Sequence, residues 1–234
     1  MRDDIKNAIL DMYDRVAQAQ QAQALRGHTD QGGRRGITSG THLDAIAAII
    51  KQDLVAGGFQ STSVYEHGRL CTLPGWFRPT KNWDLLAFED SALVAAVELK
   101  SISSSFGNNA NNRAEESIGS AFDARVAFDN DLFGHASIPP VMGYVMIIRD
   151  CAESRMESRA FRSMHFPIDA TFFQTSYLDR FRILCERLRR QSLYQAVWLV
   201  YANPDTREVT EPSSEMTYEK FIANIVMALQ VHRA

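Results

Sequence analysis

Cysteine is scarce in this chain of 234 residues. The three that occur, Cys71, Cys151 and Cys185, are odd in number and show neither a CxxC pair nor a Cys/His spacing, which argues against a disulfide framework and a structural zinc site. A reduced cytosol suits such a chain. Long apolar runs are missing too: no segment approaches the roughly 20 residues that a membrane-spanning helix needs. The first residues, MRDDIKNAILDMYDR, are charged from the second onward and contain no uninterrupted apolar core of a signal peptide. The expectation is a soluble, cytoplasmic protein that does not meet a membrane. Nor is there an excess of positive charge, since 25 Lys and Arg stand against 28 Asp and Glu, a net charge of −3. Attraction to phosphates would therefore have to come from local clusters. The six histidines show no metal-ligand spacing.

What is present is the composition of an ordinary globular chain, 45% apolar and 23% charged, with no internal repeat or linker. Ile5, Ala8, Ile9, Met12, Tyr13 and Val16 recur at helical spacing, and the Gln/Ala-rich continuation predicts one amphipathic helix over 3–25. The next stretch, 26-RGHTDQGGRRGITSG-40, reads as a locally basic loop. A second helix is expected from about Thr41 to Val55, with Thr41 as N-cap and Gly57-Gly58 ending it. Residues 83–88 and 92–99 are short apolar runs separated by Glu89-Asp90-Ser91, the pattern of an antiparallel hairpin. Residues 103–113 read as a turn-rich polar connection before a helix over 114–128. Strands are expected at 141-VMGYVMII-148 and 195-QAVWLVYA-202, with a helix over 177–190 between them and a final helix over 218–229. This order argues for one α/β domain, 1–234, with a mixed β-sheet flanked by helices. Its N-terminal helical part runs to about residue 58, and its core follows from about residue 59.

The hairpin carries ionic side chains where apolar ones prevail, and a buried charge needs a partner or a metal. Residues two apart on a strand share a face, so Glu98 and Lys100 project together, and the hairpin can bring Asp84 alongside them. Two converging carboxylates suit a hard divalent cation such as Mg²⁺, with the backbone carbonyl of Leu99 and waters completing an oxygen-rich shell. A lysine beside that shell can neutralise charge accumulating on a phosphate. The competing reading is a surface hairpin with solvated charges and one salt bridge. Asp44 on the second helix is a candidate additional acid, as are Glu115 and Glu116. These three compete with plainer roles as solvated helix carboxylates or first-turn acids facing a helix dipole. Asn108, Asn109, Asn111, Asn112 and Arg113 are candidates for DNA contact, since Asn and Arg bond base edges bidentately; the alternative is a loop ordered by Asx turns. Arg34, Arg35, Arg78 and Lys81 are candidates for phosphate attraction. The arginines of 180–190 alternate with Asp179 and Glu186 and can pair within their helix.

The pattern Asp84, Glu98-x-Lys100, with Pro79 ahead of it, resembles the PD-(D/E)XK nuclease signature. The stretch from 78-RPTKNWDLLAFEDSALVAAVELKS-101 through 104-SSFGNNANNRAEESIGSAFD-123 resembles the central block of the XhoI family of type II restriction endonucleases. The likeness includes the Arg-Pro-Thr-Lys-x-Trp-Asp lead, the Glu-Leu-Lys core and the Phe-Gly-Asn-Asn-x-Asn-Asn-Arg-x-Glu-Glu segment. It is weaker in 42-HLDAIAAIIKQDL-54 and 177-YLDRFRILCERL-188. The resemblance implies a PD-(D/E)XK restriction-endonuclease-like core in a homodimeric, Mg²⁺-dependent enzyme that cuts double-stranded DNA at CTCGAG and leaves 5′-phosphate ends. Within it Asp84 and Glu98 would be metal ligands and Lys100 the catalytic lysine, and a DNA methyltransferase would be its system partner without a stable complex. A repair nuclease and a catalytically silent DNA-binding module are the alternatives.

Overall fold

The protein is described here by a computed structural model covering residues 1–25, 41–134, 138–158 and 163–234. The basic loop read at 26–40, with Arg34 and Arg35, lies outside the described residues. Helix α1 (Asp3–Leu25) is followed by a 3-10 turn (Thr41–Leu43) and helix α2 (Asp44–Ala56). Strands β1 (Val64–Glu66), β2 (Thr72–Pro74), β3 (Thr80–Asn82), β4 (Leu85–Glu89) and β5 (Ala92–Ile102) come next. Helix α3 (Phe106–Asp129), strand β6 (Val141–Arg149), the single-turn helix α4 (Ala152–Arg155) and helix α5 (Tyr177–Arg190) follow. Strands β7 (Ala196–Asn203) and β8 (Glu208–Thr210) and helix α6 (Tyr218–Arg233) complete the order.

Six strands form one mixed sheet in the order β1-β4-β5-β6-β7-β8, and β2 and β3 form a separate two-stranded hairpin. The β4–β5 pair is antiparallel, whereas β5–β6 and β6–β7 are parallel. Parallel neighbours need a crossover, and α3 and α5 supply the two here. Both pack on one face, where Phe106, Ala110, Phe181, Cys185 and Leu188 meet Ala96, Tyr144, Met146 and Leu199. The opposite face is covered by α1, α2 and α6, whose Ile5, Ile9, Ile50, Leu54, Phe221 and Leu229 meet Val97, Leu99, Val145, Ile147 and Trp198. Each large apolar side chain buried this completely contributes about 1.5–3 kcal/mol. The alternation along β5 fixes the site: from Ala95 onward odd residues enter one layer and even residues the other. A register shift between Ala87 and Phe88 falls opposite Val94 and Ala95, which is why those neighbours share a layer.

The α/β architecture, the mixed sheet and its flanking helices follow the expectation, but three local readings are corrected. The first turn of α2 is capped by Leu43 with no side-chain hydrogen bond, so Thr41 is not its N-cap. Gly57 and Gly58 do end that helix, Gly58 with φ +114°. The segment 103–113 is not a loop throughout, because α3 begins at Phe106. Ser105, at φ 54°, turns the chain, and the burial of Phe106 and Ala110 recruits the asparagine run into helix against its weak propensity. The last helix continues to Arg233, which donates to Glu89 Oε1 at 2.5 Å and to the Gly58 carbonyl at 3.0 Å.

Candidate active site

Glu98 and Lys100 occupy even positions of β5 and therefore turn toward the α3/α5 layer, while Leu99 turns away. One step beyond the Leu85–Val97 pair, the antiparallel register sets Asp84 across from Glu98. Asp84 is fixed at both ends: its N–H donates to the Val97 carbonyl at 3.0 Å, and its Oδ2 accepts the Leu99 N–H at 2.7 Å. N–H and C=O of one strand residue point to the same side, so the Leu99 carbonyl faces the Asp84 side of β5 as well. The Asp84 carbonyl in turn accepts the His67 N–H at 3.3 Å.

Glu98 is nearly buried, with its side chain 9% exposed, and each carboxylate oxygen meets an ammonium group. Lys100 contacts Oε1, and Lys81 donates to Oε2 at 2.5 Å. Lys81 lies 4.5 Å from the ring centroid of Trp83 and is only 11% exposed. Burial alone would raise the Glu98 carboxyl, but Lys100 and Lys81 outweigh it and hold the group below its usual range. Asp84 moves the other way: burial, then the charge of Glu98, raises it against the opposing pull of Lys100, the Leu99 N–H and Lys81. Two carboxylates that feel one another in a shielded site are a suitable donor set for a hard cation, being all oxygen. Among the described residues no group of three or more His, Cys, Asp or Glu is arranged for a metal. A cation held by Asp84 and Glu98 would therefore need further oxygens from backbone, water or substrate.

The cluster opens into a cleft of about 670 Å³ lined by Phe77, Arg78, Lys81 and Glu98 on one side and by Glu115, Glu116 and Asp123 of α3 on another. Glu116 is paired with Arg113. Asp44 is brought to the margin of the site, its Oδ1 3.3 Å from His67 Nε2, and through His67 it connects to the backbone of Asp84. The asparagines divide: the Asn109 amide donates to the Ser104 and Ser105 carbonyls at 2.9 and 3.2 Å, and Asn111 accepts from Arg180 at 2.9 Å. Asn108 and Asn112 are exposed. Of the arginines on α5, Arg182 pairs within the helix with Glu186 at 2.7 Å, whereas Arg187 and Arg189 reach out to Asp169 and Glu215.

Two residues escaped the sequence reading. Asp123, buried on α3, accepts the N–H groups of Trp76 and Phe77 at 2.8 Å each and Arg78 Nε at 2.7 Å. Burial would raise its carboxyl, but these donors hold it below the ordinary value of 3.8. His67 is one of six histidines without a metal-ligand spacing. Nothing in the sequence separates either from a solvated neighbour, since each acts through a partner distant in the chain.

The sequence model of the restriction endonuclease XhoI family matches residues 22–213. Three curated proteins are similar over most of their length. The chain is 42% identical over 188 residues to a type II restriction enzyme XhoI of Xanthomonas vasicola, covering 75% of both sequences. It is 40% identical over 162 residues to the type II restriction enzyme AbrI of Azospirillum brasilense, covering 69% of this chain and 72% of that one. It is 35% identical over 180 residues to the type II restriction enzyme BstVI of Geobacillus stearothermophilus, with 74% and 79% covered. No solved structure matches it significantly.

Proposed function

The chain belongs to the XhoI restriction endonuclease family, and from that premise we propose that it is a type II restriction endonuclease. In this reading it cuts both strands of a palindromic DNA site, CTCGAG, leaves 5′-phosphate ends, and depends on Mg²⁺. It acts as a homodimer of single PD-(D/E)XK-type domains and belongs to a restriction–modification pair with a DNA methyltransferase. One observation carries the reading: Asp84, just ahead of β4, stands across from Glu98 of β5, two lysines contact Glu98, and Glu98 and Lys81 line an open cleft.

Asp84 and Glu98 would hold the cation, with the Leu99 carbonyl as a further oxygen. When bound, Mg²⁺ supplies Lewis-acid stabilisation of charge growing on the phosphoryl oxygens and lowers the cost of hydroxide at neutral pH. The residues themselves prepare the charge balance. Two carboxylates and two ammonium groups cancel, so this cluster does not repel a phosphodiester as a bare pair of acids would. Lys100 shares the face of Glu98 and is the ammonium that meets the phosphate and steadies the attacking water. Lys81, stacked on Trp83, is the second counter-cation, and it belongs with the chemistry more than with long-range phosphate attraction. Leu99 N–H keeps Asp84 aimed at the cluster. Arg78 is held by Asp123 at the cleft rim and offers positive charge to the DNA backbone. Asn108, Asn112 and Glu115 lie on the exposed face of α3, where they would meet the duplex; Arg34 and Arg35 are retained as phosphate contacts from sequence alone.

Incubating the purified chain with plasmid and Mg²⁺, then sequencing the fragment ends, tests the reading. Discrete fragments ending within CTCGAG, absent with EDTA, are expected. Uncut plasmid, or cuts scattered without a common sequence, would overturn it.

A further inference from the structure

The cleft has a second kind of wall. The hairpin of β2 and β3 ends in a tip whose Trp76 and Phe77 are 49% and 67% exposed. Phe77 lies nearly parallel to Phe122 of α3, with ring centroids 5.9 Å apart and planes 16° apart, and Phe122 is itself 41% exposed. The Arg125 guanidinium sits 5.3 Å from the Phe122 centroid. Phe77 and Phe122 line the same cleft as Glu98 and Lys81.

This tip is built to be rigid. The buried Asp123 carboxylate is occupied by the two N–H groups and the guanidinium of the tip. A Cβ on Gly75 would come within 2.7 Å of both the Arg78 carbonyl and Asp123 Oδ2, so the turn closes this tightly only with glycine. The fold thus commits a buried carboxylate and three donors to holding two large rings in solvent, where they add nothing to the core. Among the α3 residues that line the cleft is Gly119, a residue that weakens a helix, and a Cβ there would meet nothing within 4 Å. That position keeps the mouth of the cleft open.

We propose that the Trp76–Phe77 tip, backed by Phe122, is a nucleobase-stacking wedge that engages the duplex beside the phosphate held at Glu98. The proposal rests on the DNA reading above and deepens it. Arg125 sits on the Phe122 ring, and Arg78 and Lys81 line the same cleft as Phe77 and Phe122; cations beside aromatic faces suit a polyanion whose bases stack. A rigid aromatic wedge partly unstacks one step and kinks the duplex away from the inserted rings.

Trp76 makes the test direct, because Trp83 and Trp198 are 4% and 0% exposed and Trp76 is the accessible indole. The probe is a duplex fragment spanning a site that the wild-type enzyme cuts, bound in Ca²⁺ in place of Mg²⁺ to hold off cleavage. Adding it should lower acrylamide quenching of tryptophan fluorescence several-fold. A 2-aminopurine beside the cut phosphate should brighten with the wild type and stay dark with the Trp76→Ala/Phe77→Ala double variant, whose affinity should fall roughly tenfold or more. Both substituted side chains are exposed, so thermal stability should hold. Gly119→Ala, whose Cβ meets nothing within 4 Å, should stay folded, and Gly119→Leu, which projects further into the cleft mouth, should likewise lose binding. Unchanged quenching with DNA bound, or a double variant that binds and cuts like the wild type, overturns the wedge and leaves the nuclease reading intact; a wild type that cuts nothing overturns the nuclease reading first. A wild-type dimer that becomes monomeric in the double variant would assign the rings to a second copy of the chain and overturn the wedge as well.

Discussion

At Glu98 two ammonium groups share one carboxylate, and the exchange of that partnership for a metal and a phosphate is the event on which the proposed chemistry turns. Glu98→Gln removes the anion while keeping the shape. Plasmid cleavage should fall by roughly three orders of magnitude or more. DNA binding should persist or tighten, because Lys81 and Lys100 lose their counter-ion and are left to the phosphates; filter binding in Ca²⁺ beside a cleavage assay separates the two effects. Asp84 makes the opposite case. Its carboxyl is held above the usual range by burial and by Glu98, so the folded state binds its proton more tightly than the unfolded chain does. Stability from this group is therefore lost as pH rises from the ordinary 3.8 through the raised folded value, and at neutral pH its charge burdens the metal-free fold. Asp84→Asn keeps an acceptor for the Leu99 N–H and sheds that charge. In EDTA its melting temperature should equal or exceed the wild type's, and the rise that Mg²⁺ gives the wild type should disappear. Asp84→Asn melting below the wild type in EDTA, or still stabilised by Mg²⁺, would contradict the assignment.

Among elements, the β2–β3 hairpin and the 115–123 stretch of α3 decide the shape of the cleft. Asp123 joins them, and its depressed carboxyl gives their union a pH signature. The folded group is ionised more readily than the unfolded one, so its contribution is present above 3.8 and is lost as pH falls through the lower folded value. Asp123→Asn should flatten that acid-side loss in thermal melts and loosen the tip, seen as stronger acrylamide quenching at neutral pH. Helix α5 offers a plainer check. Ser176 and Asp179 form a capping box, each side chain accepting the other's N–H, and Ser176→Ala should cost about 1 kcal/mol in urea unfolding. These elements differ in how far the sequence discloses them. The β4–β5 hairpin, β6 and β7 announce themselves as unbroken apolar runs covered on both faces, and α5 by the helical spacing of Leu178, Phe181, Cys185 and Leu188. Strands β1, β2, β3 and β8 are three residues each, too short for a period, and form only because a neighbour accepts them. The asparagine run of α3 favours turns locally, and the burial of Phe106 and Ala110 overrides it. In the site, the shared face of Glu98 and Lys100 follows from strand spacing, and the reach of Asp84 from the hairpin. Lys81 on Glu98 and Arg78 on Asp123 are contacts across 17 and 45 residues, which no local pattern encodes.

For the whole molecule, a net charge of −3 sets the protein against a polyanion except where cations are gathered. Binding should therefore weaken linearly on a log–log plot against salt, with a slope set by the few phosphates neutralised in the cleft. The same economy bears on assembly. Each chain holds one cluster of Asp84, Glu98, Lys81 and Lys100, enough for one strand, and a palindrome offers two equivalent strands related by a two-fold axis. A dimer sharing that axis places one cluster on each strand. Mixing settles the point: wild-type chains are exchanged with a large excess of Glu98→Gln chains, so nearly every active chain has an inactive partner. Such mixed dimers should cut one strand per encounter and accumulate open-circular plasmid, where the wild type alone gives linear product without an open-circular stage. Linear product at an undiminished rate per active chain would mean that one cluster serves both strands, and the two-fold arrangement would then be wrong even with the chemistry at Glu98 intact.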